Sequence, residues 1–286
     1  MKTDSTREGP INLGETCGMR VLAIIGSPRK GNTYRITQQV EDRLRSYAKH
    51  DGAGDGDLEF DYLFLADANL GLCKGCFVCI SRGEDYCPLK ESRAEIERQI
   101  LASDGVILAS PAYSANVPWL MKNFIDRFSY TLHRPQFVAQ KLMLVVTTGQ
   151  VGLKAAMKSL SQTMGGSDLV SRLGVKLPPF KFRPKYEESI ARDVDRASRK
   201  FYRSLKSGRP LPPTFLNVIW FQVFKTLSEM SKDYAPADYE FYKHRRDFFY
   251  ETKVNPLKTS AAKLMLRLMF RGMHKKFYLQ QPVDSE

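Results

Sequence analysis

Four of the five cysteines lie within fifteen residues of one another and could hold a metal centre. Cys73, Cys76 and Cys79 follow each other at intervals of three, and Cys87 comes after seven further residues. Closely spaced thiols on one loop can wrap a face of an iron–sulfur cubane, whereas structural zinc more often uses two separated cysteine pairs. Thiols without a metal are the third alternative. In a reducing compartment such crowding favours metal or redox chemistry over a disulfide framework. Cys17 stands apart, and we interpret it as an incidental thiol.

A glycine-rich turn between the first apolar run and the first helical pattern could bind a phosphate. Residues 26–33 read Gly-Ser-Pro-Arg-Lys-Gly-Asn-Thr, and such a turn aims backbone N–H groups and a helix N-terminus at an anion. The glycines have P-loop spacing, but Asn32 stands where the P-loop lysine would be, which argues against a nucleoside triphosphate. Pro28 stands where the dinucleotide fingerprint needs a glycine, which argues against tight NAD binding.

The polar groups of this turn suit a phosphate monoester. Arg29 can give the phosphate a charge-assisted hydrogen bond, and Ser27, Asn32 and Thr33 can give it neutral ones. The alternative is that Ser27 and Asn32 only cap the turn and that Thr33 begins the helix. The turn alone leaves both interpretations open.

Strands and helices alternate along the chain from Val21 to Gly208. Several predicted strands are apolar on both faces, which is typical of a parallel sheet covered by helices on both sides. The pattern therefore predicts a doubly wound, three-layer α/β sandwich. The predicted strands are 21–25, 58–65, 105–109, 141–147 and 169–177, and the helices after the first, which starts at Thr33, are 91–101, 119–132, 152–164 and 186–205.

Three loops of such a sheet would meet at one edge. They follow the first, third and fourth strands and comprise residues 26–33, 110–118 and 147–150. A doubly wound sheet binds its ligand beyond the carboxyl ends of the strands, where the strand order reverses. We therefore expect these loops to form one crevice.

Three motifs, in this order, resemble those of the flavodoxin-like NAD(P)H-dependent FMN reductases, and the cysteine window is similar to that of their iron–sulfur flavoprotein branch. The resemblance covers residues 21–177 and implies a flavodoxin-like, five-stranded parallel sheet of order 2-1-3-4-5. The motifs are Gly26-Ser27-Pro28-Arg29 with Gly31-Asn32-Thr33, then Ser110-Pro111-Ala112-Tyr113 leading into Lys122-Asn123-Phe124-Ile125-Asp126-Arg127, and finally Thr147-Thr148-Gly149.

The resemblance also implies which residues bind the cofactor. The first loop would bind the FMN phosphate, the second would line the isoalloxazine ring, and the third would contact its pyrimidine edge. These residues are Ser27, Arg29, Gly31, Asn32 and Thr33, then Pro111, Ala112, Tyr113 and Ser114, then Thr148 and Gly149. We expect Lys122, Phe124 and Asp126 to make packing or dimer contacts, and we name no catalytic residue.

The function implied by the resemblance is that of an NAD(P)H-dependent flavin oxidoreductase. Electrons would pass from a nicotinamide through FMN to an unidentified acceptor, with a [4Fe–4S] cluster on Cys73, Cys76, Cys79 and Cys87 as a single-electron port. Two alternatives remain: a flavodoxin-type electron carrier without NAD(P)H activity, and a membrane- or partner-binding module on the same fold.

The histidines at 50, 133, 244 and 274 show no ligand spacing, so we assign them surface or packing roles.

Composition separates the C-terminal region from the rest. The apolar fraction of 43% and the 32 aromatic residues (2 Trp, 13 Tyr and 17 Phe) exclude a disordered chain. The net charge of +13 lies mostly in the tail, because residues 200–286 contain 16 Lys and Arg against 8 Asp and Glu. We divide the chain into a polar extension, 1–20, an FMN-binding domain, 21–208, and an aromatic, basic, mostly helical extension, 209–286.

The role of this C-terminal extension has two interpretations. Residues 214–230 and 260–276 form helical patterns, and the second is apolar on one side and basic on the other. Such a helix can lie on anionic lipid, or its apolar side can cover the domain or a second subunit. We favour the second interpretation, and nucleic acid is a weaker third because no recognition motif accompanies the charge.

Two kinds of segment that would direct a protein to or across a membrane are not found in this sequence. No apolar run has the length of a membrane-spanning helix, and the first twenty residues lack the apolar centre of a secretion signal. We expect a cytoplasmic protein, and we expect it to be a homo-oligomer.

Overall fold

The computed structural model describes residues 18–52, 54 and 57–274. Five parallel strands form one sheet in the order β2-β1-β3-β4-β5, which confirms the predicted order. Cys17, the rest of the N-terminal extension up to that residue and Lys276 lie outside the described residues. The strands are β1 (Met19–Ile25), β2 (Leu58–Phe64), β3 (Gly105–Pro111), β4 (Lys141–Thr148) and β5 (Asp168–Lys176).

Ten α-helices are found in the described part of the chain. They are α1 (Asn32–His50), α2 (Val78–Ser81), α3 (Arg93–Leu101), α4 (Trp119–Arg127), α5 (Tyr130–His133), α6 (Leu153–Leu160), α7 (Pro184–Ser207), α8 (Phe215–Met230), α9 (Pro236–Tyr242) and α10 (Pro256–His274).

Two predicted helices are shorter than expected. The helix predicted for 119–132 is two helices, because the backbone leaves the helical region at Phe128, whose fully buried ring packs between Phe124 and Tyr130. The helix predicted for 152–164 ends at Leu160. Gly165 lies beyond it, where a Cβ would be 1.7 Å from the carbonyl oxygen of Thr131, so only glycine allows this close approach.

The sheet separates two apolar cores. Neighbouring residues of a strand point to opposite faces, so Ala23 and Ile25 of β1 pack with α1 and α7 while Leu22 and Ile24 pack with α3, α4 and α6. Every residue of β3 and β4 is buried. The predicted three-layer sandwich is therefore confirmed, and the central strands hold their carboxyl ends at a fixed edge.

The C-terminal extension is helical, as predicted, and has a core of its own. Val218 and Phe221 of α8 pack with Tyr242, Phe248 and Ala262 in this third apolar cluster. The hydroxyl of Tyr242 donates to the carbonyl oxygen of His133 at 2.6 Å, which joins the extension to the domain. The boundary at residue 208 stays a prediction, although α7 ends at Ser207 and Gly208 follows it with φ 58°.

None of the described helices has both the length and the apolar character needed to cross a bilayer.

Replacing the central phenylalanine of the third cluster should destabilise the extension. Phe221 is fully buried, and Phe221→Ala is expected to lower the free energy of unfolding by about 3–5 kcal/mol, because a buried cavity replaces the ring. Denaturant unfolding followed by circular dichroism measures this change. Phe215→Ala, at an exposed position of the same helix, is the control and should change stability by about 0.5 kcal/mol or less. Equal effects of the two substitutions would contradict this packing.

Candidate functional site

The predicted crevice is present as a cavity of about 550 Å³ at the carboxyl edge of the sheet. Ten of the eleven residues predicted to bind a cofactor line it. Ser114 is the exception: it follows Tyr113 in the chain but is not among the lining residues. The ten are Ser27, Arg29, Gly31, Asn32, Thr33, Pro111, Ala112, Tyr113, Thr148 and Gly149.

The turn after β1 presents an uncapped helix end to this cavity. Helix α1 begins at Asn32, and no side chain caps its first turn. Ser27 does stabilise the turn, because its hydroxyl donates to the carbonyl oxygen of Arg29 at 2.7 Å. This bond stabilises the turn, and Asn32 is the first residue of α1. Backbone N–H groups of a first helical turn that lack a cap attract an anion.

Five further lining residues were not among those predicted to bind the cofactor, although Thr147 belongs to one of the three motifs. Thr147 is the next-to-last residue of β4, and its hydroxyl lies 2.7 Å from that of Thr33, which ties the first loop to the fourth strand. Arg35 lies near the start of α1, and Leu177, Pro178 and Pro179 follow the end of β5. The proline pair directly after a predicted strand could have indicated the last three. The five are Arg35, Thr147, Leu177, Pro178 and Pro179.

The loop carrying Tyr113 is held in a tight turn. Tyr113 and Asn116 exchange backbone hydrogen bonds of 2.8 and 2.9 Å. The two residues between them, Ser114 and Ala115, have positive φ angles of 47° and 60°. The tyrosine ring is 43% exposed, so the turn presents an aromatic face at the mouth of the cavity.

Gly152 allows the Tyr113 loop to pack against the loop after β4. Its φ is 95°, and a Cβ there would lie 2.9 Å from the Cα of Ala115. A side chain at this position would push the two loops apart. The close packing of these two loops therefore depends on this glycine.

The four cysteines of the window lie between β2 and α3, with Cys79 in the short helix α2 and the other three on irregular backbone. Cys73 and Cys76 are exposed, whereas Cys79 and Cys87 are half-buried. Phe77 adopts the left-handed region with φ 58°, which is uncommon for a bulky residue and marks a backbone held by its surroundings.

Helix α4 holds this segment through two side chains that the sequence analysis did not single out. The Asn123 amide accepts from the backbone N–H of Cys73 at 3.0 Å and donates to the carbonyl oxygens of Leu70 and Gly71. Arg127 donates to the Gly71 carbonyl oxygen at 2.8 Å and to the sulfur of Cys87 at 3.6 Å. The sequence did contain a signal that these two residues matter, because both belong to the motif at 122–127.

The three residues expected to make packing or dimer contacts divide into two groups. Phe124 is fully buried in the domain core. Lys122 and Asp126 form an exposed ion pair on the helix surface. A packing role thus describes Phe124, and dimer contacts stay a prediction.

A buried arginine joins the cysteine segment to the C-terminal extension. Arg134 donates to the carbonyl oxygens of Cys79 and Ile80 and pairs with Glu84 at 2.8 Å. It also pairs with Asp238 of α9. Since Arg134 and Asp238 are 104 residues apart in sequence, spacing could not reveal this contact.

His133 takes part in the same network. Its Nδ1 lies 2.8 Å from the second carboxylate oxygen of Asp238. Its ring also packs against Phe224 of α8, with the ring centroids 5.0 Å apart. The packing role predicted for this histidine is observed.

The thiols of the window are electrostatically coupled around Cys79. Burial raises the pKa of the Cys79 thiol, and the neighbouring Cys87, Cys73 and Cys76 raise it further. In the part of the chain that the structure describes, however, no three His, Cys, Asp or Glu side chains are placed to hold a single metal ion.

Comparison with known proteins agrees with this architecture. The model of the family described as "NADPH-dependent FMN reductase" matches residues 19–175. The chain belongs to this family. It is an FMN-dependent oxidoreductase with a flavodoxin-like fold, and the predicted resemblance is confirmed.

Relatives of this FMN reductase include iron–sulfur flavoproteins. One from Archaeoglobus fulgidus is 26% identical over 238 residues, which cover 79% of this chain and 99% of that protein. Another, from Clostridioides difficile, is 29% identical over 231 residues, which cover 79% of this chain and 95% of that protein. These matches extend beyond the 19–175 region.

A solved structure shares the fold. The azoreductase from Bacillus anthracis superposes with a TM-score of 0.50 at 14% identity, covering 65% of this chain and 99% of that one.

Neutralising the partner of Arg134 should loosen the cysteine segment. Asp238→Asn removes one of two carboxylates from a buried guanidinium, at a cost of about 1–3 kcal/mol. Backbone amides of α2 should then exchange with deuterium faster, as mass spectrometry would show. Glu240→Gln breaks a surface ion pair with Lys243 on the same helix and serves as the control. Identical exchange in both variants would refute the link.

Proposed function

We propose that the cavity binds FMN with the phosphate at the turn 26–33. The uncapped first turn of α1 is the observation that carries this proposal, because it supplies N–H donors and the positive end of a helix dipole at one point of the cavity. Arg29 is exposed on the same turn and adds a full positive charge. A phosphate monoester matches this combination of donors.

The remainder of the cavity fits a flat aromatic ring. Its volume lies in the range of small-molecule sites, and Tyr113 offers an exposed ring at the mouth. Gly149 also lines the cavity, and a Cβ built on it would meet no protein atom within 4 Å. Backbone is therefore open to close contact there, as the pyrimidine edge of a flavin requires.

We infer that NAD(P)H is the electron donor, as the family description indicates. FMN, when bound, supplies the redox chemistry by accepting a hydride at N5 and releasing electrons one or two at a time. The chain's own residues bind and orient the cofactor. The turn 26–33 binds the phosphate, Tyr113 orients the ring, and Thr148 and Gly149 contact its edge. Positioning of this kind needs no side-chain acid or base.

We also propose a [4Fe–4S] cluster on Cys73, Cys76, Cys79 and Cys87. Four thiols from one segment match the donor set of a cubane, and each of the other three influences the pKa of Cys79. No three His, Cys, Asp or Glu side chains are placed to hold a metal ion in the described residues, so the spacing of the four cysteines in the sequence carries the proposal. The iron–sulfur relatives support the same proposal. A homo-oligomeric state and a cytoplasmic location remain predictions.

Removing the guanidinium of the first loop should weaken flavin binding. Arg29→Ala is expected to raise the Kd for FMN about ten- to a hundredfold, because a charge-assisted hydrogen bond to the phosphate is lost. Flavin fluorescence titration of the apoprotein measures this. Lys30→Ala is the matched control, since Lys30 lies in the same turn but points over the ring of Phe64. Unchanged FMN affinity in Arg29→Ala would remove the assignment of this loop.

Substituting one cysteine of the window should abolish the cluster and spare the flavin. Protein purified without oxygen is expected to show broad visible absorbance from iron–sulfur charge transfer, and Cys76→Ser should lose it together with iron and acid-labile sulfide. The flavin bands should persist. Cys17→Ser is the control and should keep iron content unchanged. Iron-free wild-type protein would contradict the cluster without affecting the FMN proposal.

A further inference from the structure

Helix α10 has two apolar faces, and only one of them is covered. Ala262 and Leu266 are buried, and Ala262 belongs to the apolar cluster shared with α8. The apolar side that we expected to pack on the domain or on a second subunit, with Leu264, Met265 and Leu268, is a different one and is exposed in the described chain. The other side carries large apolar side chains in solvent, namely Leu257, Leu264, Met265 and Leu268, which are 78%, 60%, 41% and 62% exposed.

The exposed apolar side chains form one continuous face. At about 100° per residue they fall within a sector of roughly 100° on the helix surface. From Leu257 to Leu268 the face runs for about 16 Å along the axis. This length suits a helix that lies flat on an apolar surface, and no described helix is suited to cross a bilayer.

One border of this face is basic. Lys263 and Arg267 are exposed, and around the helix Arg267 lies about 60° and Lys263 about 100° from Leu264. They also line a groove of about 350 Å³ between α8 and α10, together with Lys225, Arg246 and the carboxylate of Glu229. Over Pro256–His274 the sequence contains four Lys and Arg and no Asp or Glu.

A further donor is available in this groove. Gln222 lines it and is 95% buried, since its exposed fraction is 5%. Its side-chain nitrogen donates to no acceptor in the described part of the protein. A buried amide without an acceptor is costly, and a phosphate oxygen in the groove would satisfy it.

We propose that this face of α10 binds the surface of an anionic lipid bilayer. The apolar sector would enter the boundary between headgroups and acyl chains, and Lys263 and Arg267 would contact the lipid phosphates. Charge decides between a bilayer and a second copy of the chain. Two copies joined through this face would bring two helices with only positive charges together, whereas an anionic bilayer compensates the charge.

Vesicle sedimentation of the full chain tests this inference directly. Phosphatidylcholine vesicles are compared with vesicles in which about a quarter of the lipid is phosphatidylglycerol. We expect the wild type to sediment with the anionic vesicles, to stay in solution with the neutral ones, and to lose binding as salt increases. Binding that is equal for both vesicle types, or absent from both, would overturn the proposal.

Two pairs of substitutions locate the binding face. Lys263→Gln with Arg267→Gln should reduce the partition coefficient about 25-fold, at roughly fivefold per cation. Lys154→Gln with Lys158→Gln, exposed on α6 at the same spacing, is the matched control and should leave it unchanged. Leu264→Ser with Leu268→Ser should reduce it about tenfold or more, and Leu101→Ser, an exposed leucine of α3, should not.

The same variants also test whether a second copy of the chain, rather than a bilayer, covers this face of α10. Light scattering gives the oligomeric state without lipid, and flavin absorbance confirms folding. If Leu264→Ser with Leu268→Ser converts a dimer to a monomer and neither protein binds vesicles, a second copy covers the face and the proposal is wrong. These measurements do not depend on enzymatic activity, so their failure would leave the oxidoreductase function untouched.

Discussion

The site depends on the N–H groups at the start of α1. A helix begins with backbone donors that need partners, and in this protein no side chain caps the first turn of α1. The parallel sheet fixes where those donors lie, because β1 runs directly into the turn, and β3 beside it and β4 beyond β3 are fully buried. An anion at that point satisfies the donors, and the cavity extends from there past Tyr113.

Buried arginines connect the cysteine segment to the rest of the protein. Arg127 holds it from α4, and Arg134 holds it from the end of α5. Each guanidinium is paired with carboxylates, Glu91 in one case and Glu84 with Asp238 in the other. Removing one partner of such a pair leaves an uncompensated buried charge. The segment therefore has a defined conformation although it contains little regular structure.

The C-terminal extension has two roles in this description. Its α9 helix completes the network around Arg134 through Asp238, so it belongs to the support of the cysteine segment. Its α10 helix presents an apolar and basic face to solvent. One extension thus connects the cysteine segment to a surface that carries exposed apolar and basic side chains.

The sheet and most of the cavity could be predicted from the sequence. Buried parallel strands are apolar throughout, and polar residues directly after them must meet at one edge, which is why Arg29, Tyr113 and Thr148 line one cavity. Contacts between distant segments could not be predicted. Asn123 on Cys73, and Asp238 on Arg134, depend on tertiary packing that leaves no periodic signal in the sequence.

Comparing FMN with riboflavin in titrations of the apoprotein tests the central claim most directly, because the two flavins differ only in the phosphate. The account predicts that FMN binds about a hundredfold more tightly or better, since the phosphate would meet Arg29 and the N–H groups of α1. Equal affinities for the two flavins, or no quenching by either, would contradict it.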